Sequence, residues 1–250
     1  MSNASGTVRK LLVLQHIDWE RPGRLLLDLA QILFVELHIV EIWRKAAPDI
    51  ADFDALILLG GPSDAGGEDK LPFLGEEKRL LQAWLALDRP CLGFCLGHQL
   101  LAAAFKAEVS PNFMTSVGFI EGYLTHEGRE HPLFRGIDIS IPLFKRHSRT
   151  IQTPVPHNFI LLATSKECVV EAFTIKGRPN IIGLRCNNYA AHPEDIVQWM
   201  ENEKNVPGTH SSEKDSGSAL LQQAEVYLEN NERTFTRLMQ NFIALIDRQV

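Results

Sequence analysis

The chain has 250 residues, enough for one large α/β domain or two small ones with a substantial core. Its formal net charge is −6 and its Lys and Arg form no long block, so it carries no electrostatic footprint for nucleic acid or an anionic membrane surface. Hydrophobic residues make up 45% and charged residues 22%, an ordinary soluble mix; no apolar run reaches the ~18 residues of a membrane span, and no signal-peptide pattern opens the chain.

Residues 1–6 are small and polar and read as a disordered tail, leaving 7–250 as a single domain. Val8 to Gln15 is an unalternating apolar run, the pattern of a parallel strand covered on both faces. A loop with Arg21-Pro22-Gly23 leads into a helical stretch, Leu25 to Phe34. Strands are expected at Glu36 to Ile42 and at Asp52 to Leu59, the latter ending on Gly60-Gly61-Pro62 and a Ser/Asp/Gly-rich loop. Helical spacing at Leu80, Leu81, Trp84 and Leu85 closes at Arg89-Pro90, and Cys91 to Phe94 makes a fourth strand. Regular alternation of strand and helix predicts a doubly wound, mostly parallel sheet, whose ligands sit beyond the carboxyl ends of the strands.

From Ala107 to Cys186 the character changes to short β-like runs (Gly118 to Leu124, Ile139 to Phe144, Phe159 to Ala163, Cys168 to Ile175, Asn180 to Arg185). They either extend the sheet or add a β-rich layer. The core ends near residue 200. Lys204 to Ser218 is expected to be a mobile loop, and a C-terminal helical extension (213–250) carries Phe235, Leu238, Phe242, Leu245 and Ile246 on one face.

Chemistry concentrates at Gly93-Phe94-Cys95-Leu96-Gly97-His98. A strand runs into a cysteine flanked by glycines at i−2 and i+2, and a helix follows from Gln99 to Phe105. That is the layout of a nucleophile elbow, in which a sharp turn exposes one side chain and leaves no room for a neighbouring Cβ. The helix N-terminus favours the thiolate. A buried cysteine in a tight βα connection is the plain alternative.

An acyl-transfer thiol needs a base, an orienter for the base and donors for an oxyanion. His192-Pro193-Glu194 offers the first two, with extended geometry at His192 putting both side chains on one side. A solvent-exposed helix start with Pro193 at its first position accounts for the same tripeptide. For the oxyanion, the backbone N–H of Gly61 is the natural donor, paired with that of Leu96; Pro62 has none.

In this combination and order, across residues 8 to 200, the chain resembles the class I (triad-type) glutamine amidotransferases, in particular stand-alone chains similar to the amidotransferase domain of GMP synthase. The resemblance rests on Gly60-Gly61-Pro62, on Gly93 to Leu101, on His147-Ser148 and on His192-Pro193-Glu194. It implies a flavodoxin-like α/β fold, attack of Cys95 on the glutamine side-chain amide, a glutamyl thioester and ammonia release; no cofactor is expected, and four cysteines without a C-x-x-C pair fit a reducing cytoplasm. It also implies substrate contacts at Gln99, His147 and Ser148. The chain departs from the family in three places. Cys186-Asn187-Asn188-Tyr189-Ala190-Ala191 separates the last strand from His192, Ser116 stands where relatives carry Glu, and Arg149 stands where Asp is frequent.

Three functions follow from these residues. The first is glutamine hydrolysis, with ammonia passed to a separate synthase chain, since no acceptor domain fits in the remaining residues. The second is a γ-glutamyl peptidase or γ-glutamyl-amine hydrolase on the same fold. The third is a catalytically silent interaction subunit. Cys91 and Cys186 read as buried apolar fillers, His98 as structural, and the other histidines, His16 among them, as scattered, with no metal-ligand spacing.

Overall fold

The computed structural model describes residues 8–61, 71–203 and 214–247. The expected tail and the Pro62 loop lie outside these residues, as does most of the loop expected after Lys204.

Nine strands form one sheet: β1 (Arg9–Gln15), β2 (Val35–Glu41), β3 (Ala55–Leu58), β4 (Cys91–Phe94), β5 (Val109–Leu124), β6 (Ser140–Ile151), β7 (Phe159–Ser165), β8 (Ala172–Ile175) and β9 (Arg178–Leu184). Their order is β2-β1-β3-β4-β9-β8-β7-β5-β6. The first five in that order are all parallel, and the last four add on antiparallel. The β-rich middle of the chain therefore extends the sheet and does not form a separate layer.

Parallel strands need crossover helices, and these cover both faces. Helices α1 (Arg24–Ile32) and α6 (Lys214–Ile246) pack on one face, and α2 (Phe73–Ala86) and α3 (Leu96–Ala104) on the other. Strand β1 shows why its sequence does not alternate. Leu11 and Val13 enter the first core, Leu12 and Leu14 the second, and all four are fully buried. Two further α-helices are α4 (His126–Glu130) and α5 (Pro193–Glu203).

The C-terminal helix corrects one expectation. Residues 214–218, read as part of a loop because of their Ser and Gly content, already belong to α6. Packing of Phe235, Leu238, Met239 and Phe242 on the sheet supplies the stability that local propensity lacks. Among the described residues, no helix is long and apolar enough to cross a membrane.

Candidate active site

Because β1, β3, β4 and β9 run parallel and adjacent, their carboxyl ends open on one edge of the sheet. The residues that follow them are His16, Gly60-Gly61, Cys95, and Arg185 to Asn188. Four segments far apart in sequence thus meet where a doubly wound sheet binds its ligand.

Cys95 has φ +49° and ψ −102°, a conformation non-glycine residues rarely adopt, and it sits between β4 and the first turn of α3. The strain is held by the backbone on both sides. Cys95 N–H donates to Leu184 O at 3.0 Å, Gly97 N–H to Leu59 O at 3.2 Å, and Gln99 N–H to Cys95 O at 3.2 Å. The flanking glycines are obligatory. A Cβ on Gly97 would lie 2.4 Å from Leu58 Cβ and 2.5 Å from Leu58 O, and one on Gly93 would lie 2.6 Å from the carbonyl of Gly97.

Cys95 is only 5% exposed. Burial pushes its pKa up to about 12, with the Glu20 carboxylate adding to the rise; the Asn187 amide, the Gly61 N–H and Arg185 oppose it. The helix N-terminus therefore does not by itself deliver a thiolate.

Glu20, from the loop after β1, is buried, and its Oε2 has no hydrogen-bond partner. Desolvation lifts its pKa to about 7, against the pull of Arg146 and His16. That oxygen, the Tyr189 hydroxyl and Asn187 Oδ1 all lie within 3.0 Å of the point where a Cβ on Gly60 would stand. Arg146, which faces both Glu20 and Cys95, is held over the Trp199 ring at 5.1 Å. On the other side, buried Arg185 gives one N–H to Arg149 O at 2.9 Å and leaves Nε and Nη1 unbonded.

The expected base and orienter are arranged differently. Pro193 opens helix α5, so His192 is the residue that caps it and not part of an extended strand. Its Nδ1 accepts the Glu194 N–H at 3.3 Å, and its carbonyl accepts Ile196 N–H at 3.1 Å. The Glu194 carboxylate points to solvent, 71% exposed, and pairs with Arg24 at 2.7 Å. Glu194 therefore does not orient His192 in this conformation. The physical reason is the helix itself, which turns Glu194 about 100° per residue away from the capping side chain. Asn187, three residues beyond the end of β9, hydrogen-bonds the thiol.

Gln99 lies on the first turn of α3, buried, with Oε1 unbonded. Leu96 opens the same helix and packs against the Gly61 turn. The backbone of His147 pairs with Ser116 across β5 and β6, and Ser148 follows it on β6. His98 is buried against Phe173 with centroids 5.1 Å apart, and burial followed by the charges of Arg185 and Lys145 drives its pKa down to about 3, so its ring is neutral. Sequence reading missed His16, Glu20, Asn187 and Tyr189 as site residues. The available signal was position: each lies just beyond a parallel strand, where ligands of this fold class sit.

Comparison with known proteins agrees with this architecture. The family model "Glutamine amidotransferase class-I" matches residues 25–204. The chain is 34% identical over 147 residues to a subunit of the glutamine-hydrolysing GMP synthase of Methanosphaera stadtmanae, covering 59% of this chain and 71% of that one. It is 30% identical over 171 residues to the corresponding subunit of Archaeoglobus fulgidus, covering 68% and 84%. Among solved structures, a glutamine amidotransferase of Thermotoga maritima superposes with a TM-score of 0.83 at 21% identity, over 95% of this chain and 99% of that one. One from Methylobacillus flagellatus gives 0.79 at 21% identity, over 95% of each.

Proposed function

The chain belongs to the class I glutamine amidotransferase family, and we propose that it hydrolyses the side-chain amide of glutamine through a thioester on Cys95. The observation that carries this reading is the strained elbow, with the Gly61 N–H directed at the sulfur. In this reading the Cys95 sulfur attacks the amide carbon while its proton leaves to a base. The tetrahedral oxyanion takes the N–H groups of Gly61 and Leu96. Collapse expels ammonia, which carries away that proton, and water then cleaves the thioester to glutamate. Gln99, His147 and Ser148 hold the substrate.

His192 is the base in this reading, and Glu194 orients it only in a second conformation, off Arg24. Ammonia is passed to an acceptor on another chain; this part of the reading is supported by relatives that are themselves subunits of a synthase. The same thioester chemistry equally serves a γ-glutamyl peptide or γ-glutamyl amine, and Ser116 and Arg149, where the family carries carboxylates, alter the surroundings of the substrate without separating these amides, all of which keep the α-amino group of glutamine.

A second reading, binding without turnover, has its own support: Asn187 lies at the thiol and Glu194 is engaged by Arg24. Ammonia release from glutamine, set beside Cys95→Ala and a panel of γ-glutamyl amides, separates these. Release that Cys95→Ala abolishes supports the first reading. Activity confined to γ-glutamyl amines or peptides moves the substrate. No turnover on any of them, and no labelling of Cys95 by a glutamine-mimicking electrophile, leaves the silent subunit.

A further inference from the structure

His16 is the last place one would look for function on sequence grounds, a lone histidine at the end of an apolar strand. In the fold its ring is completely buried and both nitrogens are engaged. Nδ1 lies 2.9 Å from the carbonyl oxygen of Gly60, and Nε2 lies 2.7 Å from Oε1 of Glu77, on helix α2. A carbonyl can only accept, so Nδ1 carries a proton, and the carboxyl group on Nε2 favours the charged ring. Burial works against that charge, but Glu77 by Coulomb attraction and hydrogen bonding, then Gly60 and Glu20, outweigh it and raise the pKa. Glu77 and Glu20 are the charged groups that act on it, and Phe73 stacks on the ring with centroids 6.5 Å apart.

The carbonyl that His16 holds belongs to the same peptide unit as the Gly61 N–H. That peptide is trans, so its C=O and N–H point in opposite directions. With the carbonyl fixed on His16, the N–H is aimed the other way, at the Cys95 sulfur. The unit is flanked by glycine on both sides, so nothing intrinsic to the chain resists its rotation. The preceding N–H, that of Gly60, is separately held by the Tyr189 hydroxyl at 2.9 Å. Gly61 itself is wedged between His16 and Leu96, with a Cβ there 2.8 Å from His16 Cβ and 2.9 Å from Leu96 Cδ2.

We propose that His16, oriented by Glu77, is a positioning residue for the oxyanion site: it locks the Gly60–Gly61 peptide with its N–H toward Cys95. This rests on the hydrolase reading for its catalytic consequence, though not for its geometry. Without the lock the peptide turns over, presents a carbonyl to the developing oxyanion, and removes one of two donors.

The test compares His16→Leu with His16→Asn, whose side-chain amide retains a donor near the position of Nδ1. Loss of one oxyanion donor predicts a fall in kcat of about 10²–10³-fold for His16→Leu, with KM changed less than about threefold. His16→Asn recovers to within about tenfold of the parent. A folded His16→Leu protein with kcat within about threefold of the parent overturns the proposal, as does an equal loss in both variants. If the parent proves unable to hydrolyse any γ-glutamyl amide, the hydrolase reading fails separately. Crystal structures of the two variants then decide: a turned Gly60–Gly61 peptide in His16→Leu alone supports the lock, and an unchanged peptide in both overturns it. Should His16→Leu fail to fold, Glu77→Leu removes the orienter and is read in the same way.

Discussion

Arg24 joins the starts of two helices: its guanidinium holds Glu194 at 2.7 Å and its backbone N–H donates to Asp195 Oδ2 at 2.9 Å. Both acceptors lie in the first turn of α5, where negative charge is favoured by the helix dipole. An acidic residue that looks like a catalytic orienter in the sequence is thus accounted for by ordinary helix chemistry.

Glu194→Gln tests that account. The pair is exposed and screened, so the urea midpoint is expected to stay where it is. The rate of ammonia release is expected to remain within about threefold of the parent, as for a group outside the reacting atoms. A loss of hundredfold or more assigns turnover to a conformation in which Glu194 has left Arg24.

Glu20→Gln is expected to make Cys95 more reactive. The Glu20 carboxylate raises the thiol pKa, and with its own pKa near 7 it is largely ionised at pH 8. Alkylation of Cys95 by iodoacetamide should therefore run several-fold faster in the variant at pH 8, and the difference should vanish near pH 5.5, where Glu20 is neutral in the parent. Slower alkylation at pH 8 would show instead that Glu20 assists removal of the thiol proton.

The same residue makes stability depend on pH. Its folded pKa is raised from 4.5 to about 7, so the native state holds a proton that the unfolded chain has released. That contribution is complete below pH 4.5 and is lost as pH rises through 7, by up to about 3 kcal/mol. Urea titrations of the parent should show this fall between pH 5 and 8, and Glu20→Gln should flatten it.

Gly97→Ala places a methyl 2.4 Å from Leu58 Cβ and 2.5 Å from its carbonyl oxygen. Backbone cannot yield as a flexible side chain does, so a loss of about 2–4 kcal/mol is expected, seen as a lower urea midpoint. Cys95 labelling should fall with it, because the elbow that Gly97 closes is the support for the strained φ.

Lys145 and Glu171 form a fully buried ion pair behind the site, and Ser165 donates to the same carboxylate. Lys145→Met leaves that carboxylate uncompensated and is expected to cost about 3–5 kcal/mol. The double variant Lys145→Met, Glu171→Met should recover much of the loss, since a buried ion pair is worth little more than apolar residues of similar size. Chemical denaturation of the parent, of Lys145→Met, of Glu171→Met and of the double variant closes the cycle.

Features set by local chemistry were legible without coordinates. Cys91 to Phe94 has the same bounds in sequence and structure, because an apolar tetrad between Pro90 and a glycine-flanked turn has few alternatives. The unalternating run in β1 correctly announced a strand covered on both faces. The tripeptide His192-Pro193-Glu194 was ambiguous because spacing says nothing about what lies opposite. Two positions along an extended chain share a side, whereas the same two at a helix start do not.

By itself the sequence determined the parallel half of the sheet, the family and the elbow at Cys95, since each rests on steric rules that act within a few residues or on a pattern matched along the chain. Only the tertiary structure decided what surrounds the sulfur. The parallel order β1-β3-β4-β9 brings four strand ends to one edge, and with them His16, Gly61, Asn187, Glu20 and Tyr189. Their nearness is a property of strand order, and the direction of the Gly61 N–H depends on a histidine and a glutamate that are neighbours only once the chain has folded.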